Sequence, residues 1–149
     1  MKARIKWVED VKFVGETASG HALVMDGPPE NGGNNLGPRP MEMLLLGMGG
    51  CTAFDVIHML KKARQHVDDC VVELSAERAD EIPKVFTSIH AHFIVSGKGL
   101  KEAQVKRAVS LSAEKYCSAS IMLGQMAKIS HDYEVIDTNE QQPVDKSAS

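Results

Sequence analysis

Apolar and polar residues alternate over positions 3–8 (Ala-Arg-Ile-Lys-Trp-Val), a period of two that predicts a half-buried strand. Lys12 to Gly15 and His21 to Met25 predict two more short strands, separated by the bend Ala18-Ser19-Gly20. Asp26 to Pro40 carries Gly-Pro-Pro, Asn-Gly-Gly-Asn-Asn and Gly-Pro-Arg-Pro, so it predicts a long loop and a mobile rim for whatever follows. From Met41 to Leu60 the pattern changes to a helix apolar nearly all round, which belongs in a core or an oligomer interface. Pro40 suits its first turn, and Lys61, Lys62 and Arg64 place cations at its negative end. Gly47, Gly49 and Gly50 predict a break or kink and a close approach by another backbone. Two strands follow at about Asp69–Glu77 and Phe86–Ser96, as an antiparallel hairpin. A helix from Leu100 to Tyr116, with the core stripe Val105, Ala108, Val109 and Ser112, leads to a short helical turn at Ala119–Gln125. A last strand covers Ile129–Ile136. The order predicts an α+β fold with largely antiparallel sheets around a central apolar helix. It forms a single domain over 1–137, with 138–149 a disordered polar tail.

Composition narrows the function classes. A chain of 149 residues, 43% hydrophobic and 25% charged, can bury a sizeable core without disulfide staples. A net charge of -3 argues against a nucleic-acid or anionic-membrane surface, so neither partner is expected. The longest uncharged run, Met43 to Phe54, falls short of the roughly 20 residues that span a bilayer. Met1-Lys2-Ala3-Arg4 runs directly into the first strand with no signal-peptide pattern, so a cytoplasmic protein is expected. In that compartment the three cysteines, at 51, 70 and 117, are either buried filler or redox-active. They lack the number and spacing of a zinc site, and no metal and no bound cofactor are expected.

Cys51 follows Gly49-Gly50 at the point where the helix is expected to resume. A thiol at a helix start feels the positive end of the backbone dipoles, which favours the nucleophilic thiolate. Cys117 closes a second helix, and a second thiol is what a sulfenic acid needs for capture as a disulfide. Cys70 fits the filler reading. His90 and His92 share one strand face, a spacing open to a metal, but no third ligand is identifiable and a polar outer face explains them equally well. Asp55, one turn after Cys51, is expected to face water. The methionines at 41, 43, 48, 59, 122 and 126 are read as packing filler.

Met41-Glu42-Met43, Gly49-Gly50-Cys51-Thr52-Ala53 and the later Ser112-Ala113-Glu114-Lys115-Tyr116-Cys117-Ser118 together resemble the OsmC/Ohr family, osmotically induced protein C and organic hydroperoxide resistance proteins. The similarity covers essentially the whole of 1–137 and is closest to the family's YhfA-type branch. It implies an interwound homodimer with sites at the subunit interface. It also implies thiol-dependent reduction of hydroperoxides, chiefly organic, as a defence against oxidative stress. Cys51 falls on the peroxide-attacking cysteine and Cys117 on the resolving one. The resemblance implies an external dithiol reductant, such as one of the lipoyl type. In better-studied branches a Glu directly follows the Pro before the helix; here Met41 does, and Glu42 comes one place later. The family's Arg near the N-terminal strands has no match, with Arg4 and Arg39 the nearest substitutes. Cys70 follows the helical stretch that begins near Cys51 and ends near Arg64, whose ends lie roughly 20 Å apart, beyond the about 7 Å a disulfide allows. The runner-up reading is a non-catalytic dimer that binds a small hydrophobic ligand or senses oxidants through the same interface.

Overall fold

The structure is a computed structural model that describes residues 1–141. It is a mixed α+β protein with two three-stranded sheets and a central helix, in two compact units, Met1–Leu46 and Gly47 onward.

In the first unit β1 (Ala3–Glu9), β2 (Lys12–Thr17) and β3 (Ala22–Met25) form an antiparallel meander. The register sets Ile5 opposite Gly15, Trp7 opposite Phe13 and Phe13 opposite Met25, so apolar side chains collect on one face. The expectation of a half-buried first strand fails, because every residue of β1 is exposed. Alternation supplies a face suited to burial, but among the described residues of the first unit none covers it. The long loop has internal hydrogen bonds of its own. Asp26 is 1% exposed, and its carboxylate accepts hydrogen bonds from the amides of Gly27 (2.8 Å), Asn34 (3.1 Å) and Leu36 (3.1 Å). The loop folds back so tightly that a Cβ on Gly33 would stand 2.0 Å from the carbonyl oxygen of Gly27.

Helix α1 (Pro40–Lys62) begins with its own cap. The carboxylate of Glu42 accepts from the backbone N–H of Arg39 at 2.9 Å, the reciprocal half of a capping box. The break expected at the glycines does not occur, and the helix is continuous through all three. Gly49 is the tight one, since a Cβ there would meet Leu74 at 3.0 Å, while Gly47 and Gly50 face open space. By length and composition α1 could cross a membrane, which the uncharged run alone did not suggest. Its stripe Met48, Thr52, Val56 and Leu60, however, is buried in the protein.

In the second unit β4 (His66–Arg78) and β5 (Phe86–Lys98) pair antiparallel as expected. The strand β6 (Lys128–Asp137) pairs with β5 in parallel. The reason is the connection: α2 (Glu102–Leu111), a π-helical turn at Ser112–Tyr116 and α3 (Ser118–Leu123) carry the chain back before it re-enters the sheet. The core joins Val56 and Leu60 of α1, Ala91, Phe93 and Val95 of β5, and Val105, Ala108 and Val109 of α2. Thr138–Gln141, expected to belong to a disordered tail, form a 3-10 turn, and the Thr138 hydroxyl donates to Asp68 at 2.7 Å. The rest of that tail, 142–149, lies outside the described residues.

Candidate functional site

Cys51 lies in the middle of α1, eleven residues after Pro40. Free N–H groups exist only in a helix's first turn, so the dipole assistance expected for Cys51 is absent. The sequence suggested a helix start there because Gly49-Gly50 reads as a break. The thiol is half-buried, and the side chain four residues on, Asp55, is half-buried too rather than facing water.

What holds Asp55 is Ser112, far away in sequence. The Ser112 hydroxyl is fully buried, 2.8 Å from the Thr52 hydroxyl and 3.2 Å from a carboxylate oxygen of Asp55. A hydroxyl has one proton. Donation by Ser112 to the carboxylate, the stronger acceptor, therefore leaves Thr52 as donor to Ser112. This buried relay pins the middle of α1 to the start of the π-helical turn.

That turn replaces the last part of the ordinary helix expected up to Tyr116. Its wider winding is closed by the Cys117 N–H donating to the Ser112 carbonyl at 2.9 Å. Cys117 then leaves the helical conformation and caps α3, its Sγ accepting from the Ser120 amide at 3.4 Å. The side chain is fully buried. Burial pushes its thiol pKa up; the hydrogen bonds from Ser120 pull it back, and the neighbouring Cys51 pushes it up further. The sulfur of Cys51, the sulfur of Cys117 and a carboxylate oxygen of Asp55 all lie within 4.8 Å of one another. Among the described residues this is the one set of three potential metal donors so gathered.

The other sequence candidates have partners of their own. Cys70 lies on β4, packed against the core, and burial followed by the Asp69 charge pushes its thiol pKa up. Arg39 and Glu42 pair with each other, guanidinium to carboxylate at 3.4 Å, beside the capping bond. Arg4 pairs with Glu16 at 2.9 Å on the exposed first strand pair. His90 and His92 stand on the sheet face away from the core, His90 bonded to Ser130 at 2.8 Å and His92 to Asp132 at 2.5 Å. The Asp132 hydrogen bond, opposed by desolvation and joined by the charges of Asp132, Glu73 and Glu134, raises the pKa of His92. This is a polar outer face held by cross-strand pairs.

A cavity of about 580 Å³ opens between α1 and α2; Asp55 and Tyr116 line it, and neither Cys51 nor Cys117 does. Met59, Ala108 and Leu111 give it an apolar wall, Lys62 and Arg107 give it cationic groups, and Asp55 belongs to both cavity and thiol cluster. Sequence reading missed Ser112 as a site residue because its place in the apolar stripe of the helix expected over Leu100–Tyr116 marks it only as core. Its one signal is a hydroxyl in an otherwise apolar stripe.

A sequence model of the OsmC-like protein family matches residues 32–132. The chain is 54% identical over 136 residues to Protein YhfA of Escherichia coli strain K12, across 91% of this chain and 98% of that one. Among solved structures, a hypothetical protein from Aquifex aeolicus is 30% identical with a TM-score of 0.75, over 91% of this chain and 97% of that one. The organic hydroperoxide resistance protein OsmC from Legionella pneumophila has the same fold, at a TM-score of 0.67 and 17% identity, over 90% of this chain and 96% of that one.

Proposed function

We infer the function from one premise: this chain belongs to the OsmC-like family. We propose that it reduces organic hydroperoxides, with Cys51 as nucleophile and Cys117 as resolving thiol. The observation that carries this reading is the approach of the two sulfurs to within 4.8 Å of each other. Cys51 is the attacking thiol because it is partly open, whereas Cys117 is fully buried and its ionisation is opposed by burial. The Cys51 thiolate attacks one peroxide oxygen and breaks the O–O bond. This leaves a Cys51 sulfenic acid and an alkoxide, which takes a proton and departs as the alcohol. The Cys117 sulfur then attacks the sulfenic sulfur, forming the disulfide and releasing water. An external dithiol returns both thiols by exchange and leaves as its own disulfide. The apolar wall of the cavity suits an organic substituent better than hydrogen peroxide.

The active form is a homodimer in the cytoplasm. Trp7 (62% exposed) in one unit and Phe54 (71%) in the other are large apolar side chains that a second copy of the chain would cover. The alternative, a non-catalytic binder of a small hydrophobic ligand, is favoured by the cavity and expects no peroxide turnover.

The test is consumption of cumene hydroperoxide against hydrogen peroxide with a dithiol reductant, followed by non-reducing peptide mapping. Faster loss of the organic peroxide and a Cys51–Cys117 peptide with Cys70 free are expected. Cys117→Ser should stop after one oxidation. A dominant Cys51–Cys70 peptide, or no turnover at all, overturns the reading.

A further inference from the structure

We propose that the reduced thiol pair, together with Asp55, is a binding site for a thiophilic divalent metal ion of the zinc type. The donor set is two sulfurs and one carboxylate oxygen, with Cys51 and Asp55 one turn apart on α1 and Cys117 distant in sequence, all within 4.8 Å of one another. In a tetrahedral zinc site, with bonds of about 2.3 Å to sulfur and about 2.0 Å to oxygen, these donors stand roughly 3.5–3.8 Å apart. Closing the present cluster to that size takes about 1 Å, within the reach of small side-chain rotations.

Two further features fit a ligand set. The hydrogen bond from Ser112, itself backed by Thr52, orients the Asp55 carboxylate in the way that outer partners orient metal ligands. The backbone on the Cys117 side is fixed as well, by the π-helical turn before it and the cap of α3 after it. The chemistry then selects the ion. Two thiolates favour zinc or cadmium over magnesium or calcium, which take oxygen ligands. With the carboxylate they carry three negative charges, offset to a net single negative charge by the divalent ion. Three protein donors leave a fourth position for water. The linear sequence concealed this set because Cys117 meets Cys51 and Asp55 only through the fold.

Binding requires only reduced thiols and is independent of the peroxidase reading. One consequence rests on that reading: thiolates that hold a metal cannot attack a peroxide or join as a disulfide, so the ion shields the site and stalls turnover.

The probe is cadmium, titrated into the reduced full-length protein freed of small thiols, with sulfur-to-metal charge-transfer absorption in the ultraviolet as the readout. One ion per chain, with proton release, is expected. The band should vanish in Cys51→Ser and Cys117→Ser and persist in Cys70→Ser. Asp55→Asn should weaken affinity about tenfold or more, and Asp55→Glu should restore much of it. Circular dichroism on each variant separates lost binding from lost folding. No band in the wild type, an undiminished band in Cys117→Ser, or one ion per two chains overturns the site. Peroxide turnover by metal-free protein is measured separately, so failure of one reading leaves the other standing.

Discussion

The two sheets of this protein are built to the same count of three strands, yet they are finished differently. In the C-terminal sheet one face carries Ile89, Ala91, Phe93 and Val95, each at most 3% exposed, under α1 and α2. In the N-terminal sheet Ile5 and Trp7 occupy an equally apolar face and stay 59% and 62% exposed. The alternating pattern is the same in both. The difference is a covering layer, which the second sheet obtains from its own chain. Stability in the first unit therefore rests on strand pairing and on local polar bonds, chiefly those of Asp26. A period-two pattern thus reports a face that needs burial, and says nothing of who buries it.

The sharpest way to break this comparison is to truncate one aromatic residue on each sheet. Phe93→Ala should cost about 3–5 kcal/mol of unfolding free energy, read from denaturant midpoints. Trp7→Ala should change the stability of the isolated chain far less, and should act on association, read by sedimentation equilibrium. Equal losses of chain stability would mean that the two faces are equally covered.

The next effect concerns how the first unit is held. Burial opposes ionisation of Asp26, but the amides of Leu36, Gly27 and Asn34, with help from Lys12, bring its pKa below the ordinary carboxylate value. A lowered folded-state value means that stabilisation is present above the unfolded pKa, about 3.9, and is lost as pH falls through the folded value. Asp26→Asn should therefore loosen residues 26–37 at neutral pH, read by hydrogen exchange. It should also flatten the acid-side decline of the wild type. An unchanged acid slope would assign the loop's order to other contacts.

The smallest effect separates the glycines of α1. Gly50→Ala removes the helix penalty of glycine at a position with open space around it, and should raise stability by about 0.5–1 kcal/mol. Gly49→Ala sets a methyl group 3.0 Å from Leu74 and should forfeit that gain. If Gly50→Ala instead weakens association, the open glycine is a contact for a second chain.

Much of this was legible in the sequence, for reasons that residues make plain. Strand periodicity located all six strands, and the motifs around Cys51 and Cys117 pointed to the thiols that the fold brings together. Three features were hidden. The continuity of α1 was masked by Gly47, Gly49 and Gly50, whose helix penalty of about 1 kcal/mol each is outweighed by burying Met48, Thr52, Val56 and Leu60. The parallel pairing of β6 is a property of the crossover, to which the pattern within a strand is blind. The partnership of Asp55 with Ser112 is long-range, and its polar groups looked like surface or filler when read one at a time.

The sulfur that caps α3 leads to a consequence of its own. Cys117 Sγ accepts the Ser120 amide proton while it is a thiol. In the disulfide proposed above, the same atom would have a new covalent neighbour and a reoriented lone pair. The start of a six-residue helix, too short to persist unaided, thereby becomes a record of oxidation state. The protection of a single backbone proton would tell a bystander protein, or a spectrometer, whether the chain has met its oxidant.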